Sequence, residues 1–130
     1  MTIKMNVRTD QTAFNEVARH LLNPDTRQAH DSGTCLYLTP KGERCAVGIL
    51  MKGEDEAIKA CNAFGSVGGL MKAKCDVSFG RLDTGLLADL QGVHDHGGHW
   101  KSDRSPNIEQ MAQKLLEIAD LYDLDTKAVK

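Results

Sequence analysis

The sequence predicts an α+β fold, mostly helical, with about four main helices packed around a small β-hairpin. Three observations carry that expectation. Apolar residues recur with a helical period in separate stretches along the chain. One short stretch rich in β-formers ends at a proline–glycine turn. The length of 130 residues suits one domain with a core of its own. That core must be aliphatic, because the chain has three Phe, two Tyr and one Trp.

In the first helix Phe14, Val17, Ala18, Leu21 and Leu22 fall on one face, and Thr9 or Asp10 is the cap. Asn23-Pro24 ends it, since a residue before proline is pushed out of the α region. Residues 25–33 are polar and read as a loop. Thr34-Cys35-Leu36-Tyr37-Leu38-Thr39 reads as a strand, and Pro40-Lys41-Gly42-Glu43 as its turn. The apolar stretch Arg44-Cys45-Ala46-Val47-Gly48-Ile49-Leu50-Met51 fits either a returning strand or a buried helix. It is expected to begin as a strand and run into a tight helical turn, with Ala46 and Gly48 marking close backbone packing.

A second helix opens on Glu54-Asp55-Glu56, negative where the macrodipole favours it. Ala57, Ile58, Cys61 and Phe64 form its inner face, and Gly65 is the candidate C-terminal cap. Residues 66–80 show no clear period, although Gly68-Gly69-Leu70-Met71 suggests a short helix. A third helix starts near Asp83. Leu86, Leu87, Leu90, Val93 and His94 share its face, and Gly97-Gly98 stops it. Ser105 caps a fourth helix with Pro106 at its first position, and Ile108, Met111, Leu115, Ile118 and Tyr122 carry its stripe. One globular domain spans 1–130, with 1–9 and 125–130 frayed.

Formal net charge is −2, with both signs interspersed. No run of Lys and Arg matches a phosphate backbone, so general nucleic-acid binding is not expected; a basic patch would have to be assembled in three dimensions. The N-terminus lacks the apolar stretch of a secretory signal, and nothing approaches the ~18 apolar residues of a membrane span. Cys35, Cys45, Cys61 and Cys75 therefore read as reduced thiols in a cytoplasm.

Chemistry concentrates in Leu90-Gln91-Gly92-Val93-His94-Asp95-His96-Gly97-Gly98-His99-Trp100. Imidazole and carboxylate donors suit zinc, with His94, His96 and His99 as ligands and Asp95 supporting them. The competing reading makes His94 a core-edge histidine and places His96 and His99 in a loop, with no cofactor. A nucleophilic reading sets Cys45 at a helix N-terminus with His94 as base and Asp95 or Gln91 orienting it. Against it, Cys45 beside Ala46 and Gly48 fits a small buried thiol. A third reading joins Cys35, Tyr37, Cys45, Gln91 and His94 in a buried polar knot holding the hairpin on the third helix. Gly65-Ser66-Val67-Gly68-Gly69 lacks the Lys-Ser/Thr of a phosphate loop and is set aside.

Three passages together carry a resemblance. They are residues 13–22, then Cys35-Leu36-Tyr37 with Gly42-Glu43-Arg44-Cys45-Ala46-Val47-Gly48, then Leu90-Gln91-Gly92-Val93-His94-Asp95 with Trp100. In this order they resemble a group of small uncharacterised proteins encoded by tailed bacteriophages and prophages, which share C-x-Y, G-x-x-C-A-x-G and L-Q-x-x-H-D … W elements. Leu38 stands where an arginine often follows the tyrosine in that group. The resemblance implies an accessory protein acting in a bacterial cytoplasm and implies no particular activity.

The expected function is accordingly a binding protein, engaging a host protein or a small host ligand in host takeover or counter-defence, without catalysis. Tyr37, Arg44, His94, Asp95 and Trp100 are its candidate contacts, because Trp, Tyr and Arg dominate interface hot spots. The alternative is a thiol- or metal-assisted hydrolase using Cys45, or His94, His96 and His99.

Overall fold

Helices α1 (Asp10–Leu21), α4 (Thr84–Asp95) and α5 (Ile108–Leu121) pack on one another and enclose the core. The computed structural model describes residues 3–31, 34–64, 67–72 and 77–129, with side chains except at 31, 34, 35, 64 and 70–72. The architecture is α+β and predominantly helical, as the apolar periodicity predicts.

α1 starts on a capping box. Thr9 accepts the Thr12 amide at 3.1 Å, and the Thr12 hydroxyl accepts the Thr9 amide at 3.2 Å. Such a cap is worth about 1 kcal/mol. Ala13, Phe14, Val17, Ala18 and Leu21 are buried, which is the predicted stripe; Leu22 is half-buried. At the start of α4, Asp83 accepts the amides of Gly85 and Leu86, and Leu86, Leu87, Leu90, Val93 and His94 are buried.

The strands differ from expectation. β1 (Ile3–Met5), in a segment expected to be frayed, is the middle of a three-stranded sheet. It pairs antiparallel with β4 (Met51–Lys52) and parallel with β5 (Val77–Ser78). The other terminal segment is also tied down: the Gln11 side chain exchanges two hydrogen bonds with the backbone of Asp125. Strands of two or three residues gain stability from distant partners rather than from local pattern, so no alternation marks them in the sequence.

The predicted hairpin is a remnant. β3 (Thr34–Cys35) pairs back with β2 (His30–Asp31), and beyond it a lone bridge joins Leu38 to Arg44. The turn itself is as predicted: the Gly42 amide donates to the Thr39 carbonyl, and Gly42 has φ +87°, where glycine is favoured. After Arg44 the chain enters a short 3-10 turn, Gly48–Leu50. A Cβ on Gly48 would overlap the Tyr37 carbonyl oxygen, so the small residue marks close backbone packing as predicted.

α2 (Asp55–Cys61) buries Ile58 and Cys61, and α3 (Val67–Lys72) is the suggested short helix. Gly65, Ser66 and Cys75 lie outside the described residues, as do the side chains of Cys35 and Phe64. α5 is capped two residues later than expected, at Asn107 rather than Ser105. Pro106 is instead bridged to Trp100. The shift leaves Ile108 at 38% exposure, so the buried stripe runs through Met111, Leu115, Ile118 and Ala119.

Candidate functional site

The carboxyl end of α4 gathers most of the residues singled out from the sequence. His94 is fully buried. Its Nε2 accepts the backbone amide of Ala29 at 3.0 Å, and its Nδ1 lies 2.9 Å from Asp95 Oδ1. An amide N–H can only donate, so Nε2 carries no proton and Nδ1–H donates to the carboxylate. The imidazole is therefore in its neutral Nδ1–H form, and both ring nitrogens are occupied within the protein.

Gln91 extends the network one turn back. Its Nε2 donates to Asp95 Oδ1 at 2.8 Å, and its Oε1 accepts the Val47 amide at 3.0 Å. This bond docks the Cys-Ala-Val-Gly segment onto α4. The Cys45 thiol sits beside it, buried, accepting the Gly48 amide at 3.3 Å. Burial outweighs that bond and the Gln91 contact, and the nearby Asp95 charge adds to it; together they push the thiol up to about 12. A thiol held so high is almost wholly protonated at neutral pH and is a poor nucleophile.

The histidine-rich loop caps a helix. The last carbonyls of an α-helix lack intrahelical partners, and here side chains from the following loop supply them. His99 Nδ1–H donates to the Val93 carbonyl at 2.8 Å, and the Trp100 indole N–H donates to the His94 carbonyl at 2.6 Å. Trp100 also meets the His94 ring edge-on, with centroids 5.3 Å apart. His96 accepts the Gly98 amide and stacks on His99, with centroids 4.4 Å apart. His94 thus points inward while His96 and His99 lie together outside. Among the described residues no three His, Cys, Asp or Glu side chains are grouped to hold a metal ion.

Burial sorts the candidate contacts. Tyr37, His94 and Trp100 lie in the core, and Arg44 and Asp95 reach solvent. The Arg44 guanidinium is itself engaged, donating to the carbonyls of Gly48 and Met51 and pairing with Asp55 at 3.6 Å. Its own carbonyl is 2.8 Å from His20 Nε2. Burial holds His20 below the usual imidazole range, partly offset by that bond, with the Arg44 charge pushing the same way as burial.

Two fasteners escape a reading of residue types. Asn62 accepts the Tyr37 amide at 2.7 Å and donates to the Leu38 carbonyl at 2.9 Å, holding the remnant hairpin against the end of α2. Arg104, at φ 67°, donates to the His30 carbonyl and accepts the Gln28 amide. Asparagine following a helix and a polar loop are the sole signals for either.

No helix among the described residues is long and apolar enough to cross a membrane. Compared with protein-family models, curated proteins and solved structures, the chain has no match in any of the three.

Proposed function

We propose that this chain is a phage-type accessory binding protein that works in a bacterial cytoplasm and engages a host protein or a small host ligand without catalysis. One observation carries the reading: the imidazole best placed to act as a base is buried, with one nitrogen bonded to the Ala29 amide and the other to Asp95. A general base must reach the proton it removes, and a metal ligand must offer a free nitrogen. The raised Cys45 thiol supports the same side. On this reading the Cys45–Gln91–His94–Asp95 network fixes the fold, and recognition occurs at the surface.

Two of the stretches that carry the phage resemblance, Cys-Ala-Val-Gly and Leu-Gln-Gly-Val-His-Asp, are joined by this network through Gln91. Shared sequence in the group then reflects a shared scaffold, with partner choice left to exposed positions.

The test has two arms. Affinity capture from a bacterial lysate and a thermal-shift screen with nucleotides should give a saturable partner or ligand, retained by a Cys45→Ala variant. Failure of both arms would remove the basis for a binding role. Stoichiometric zinc in the purified protein, lost on joint alanine substitution of His94, His96 and His99, would instead favour the hydrolase alternative.

A further inference from the structure

The sequence has no basic run, yet the fold builds a basic patch on the sheet. The register places Lys52, Lys4 and Ser78 side by side across β4, β1 and β5. Side chains paired across adjacent strands share a face, and like charges directly opposite are destabilising. Lys4 against Lys52 is such a pair, both exposed.

Beside that row, at the carboxyl ends of the parallel strands β1 and β5, lies a cleft of about 310 Å³. This is the size range of small-ligand sites, roughly 300–1,000 Å³. Lys4, Arg8 and Arg81 surround the cleft, and the half-buried Met5, Val7 and Phe79 give it apolar walls. Among the described residues none of Lys4, Lys52, Arg8 or Arg81 is in an ion pair. The neighbouring carboxylates are directed to backbone: Asp10 accepts the Asp83 amide, and Asp83 accepts the first amides of α4. Among the described residues no acidic side chain lines the cleft.

Cations whose neighbouring carboxylates are turned to backbone amides call for an anion, and an aromatic ring with two apolar side chains calls for a flat apolar body. We propose that this cleft binds a nucleoside monophosphate, the phosphate held by Lys4, Arg8 and Arg81 and the base lying against Phe79, Met5 and Val7. The inference rests on the binding reading above and gives it a site and a ligand class. Arginine forks suit phosphate oxygens, and the exposed setting makes the contact salt-sensitive.

The test is an NMR titration of the full chain with purine and pyrimidine ribonucleoside monophosphates, adenosine, inorganic phosphate and a short single-stranded oligonucleotide. A monophosphate should move the amides of residues 4–8 and 78–81 saturably. Adenosine and inorganic phosphate should each bind roughly tenfold more weakly, as should an Arg8→Gln/Arg81→Gln variant whose spectrum is otherwise unchanged. No shift with any monophosphate, shifts elsewhere, or an unweakened double variant would overturn the site. Tighter binding of the oligonucleotide at the same amides would overturn it in favour of nucleic acid. Capture of one host protein equally by the wild type and the double variant would keep the binding role while removing this cleft from it.

Discussion

His94 Nε2 accepts the backbone amide of Ala29 across 65 positions of sequence, at 3.0 Å and with the imidazole fully buried. That bond ties the loop after α1 to the end of α4. The opposite nitrogen fixes the ring through Asp95, so a single side chain sets the spacing of two segments that share no other sequence signal.

Replacing His94 by Ala should therefore act on stability first. It removes the acceptor of a buried amide and leaves a cavity, with an expected loss of about 3 kcal/mol. Asp95→Asn should lose less, about 1 kcal/mol, because the position is half-exposed and an amide oxygen still accepts. Urea unfolding of both variants checks the order. An unmoved midpoint for His94→Ala would remove the scaffold role.

Cys45 should resist alkylation in the native protein. Its thiol is buried and raised to about 12, so at neutral pH little thiolate is exposed to reagent. Peptide mapping after iodoacetamide treatment should find Cys45 unmodified in buffer and modified in urea, at a rate that follows unfolding. Rapid native labelling at Cys45, as fast as free cysteine, would restore the thiol chemistry that burial argues against.

The helices and their stripes were legible because Phe14, Val17 and Leu21, or Leu87, Leu90 and His94, repeat with the helix period. The sheet was not, because Ile3-Lys4-Met5 is too short to carry an alternation, and its partners at 51–52 and 77–78 lie far along the chain. The fourth helix was misplaced at its start because Ser105-Pro106 has the residues of a cap, yet Pro106 is bridged to Trp100. At the site, Gln91, His94 and Asp95 were foreseeable as a cluster. A scaffold role for Gln91 and His94 is one of the sequence readings, the buried polar knot; their partners are not legible, since the main ones are backbone amides of Ala29 and Val47, which any residue type presents. Likewise, three histidines near a tryptophan suggest metal by type, and only geometry reveals that two of these side chains cap a helix.

Stability should fall as the solution is acidified below the ordinary imidazole pKa of 6.5, and His20 should be one cause. Its folded-state pKa is lowered chiefly by burial, so between that value and 6.5 the unfolded chain binds more protons than the native one. The contribution is intact above 6.5 and is lost as pH drops through the window beneath it. His20→Gln should flatten this part of the stability–pH curve. Thermal unfolding across pH 5–8 for both proteins tests the point, and identical curves would assign the acid sensitivity to other groups.

Two glycines should respond to alanine with opposite signs. At Gly48 the added methyl would overlap the Tyr37 carbonyl oxygen, and backbone cannot step aside as a flexible side chain does. The 3-10 turn must separate from the remnant hairpin, which also pulls on the Gln91–Val47 bond, for an expected loss of 3 kcal/mol or about that. Gly92 is exposed in the interior of α4, with open space where its Cβ would stand. Glycine there is less favourable than alanine by roughly 0.5–1 kcal/mol, so Gly92→Ala should raise the melting temperature. Measured side by side, a tolerated Gly48→Ala would mean that Tyr37 and Gly48 are not in backbone contact. The docking of the Cys-Ala-Val-Gly segment would then need another explanation.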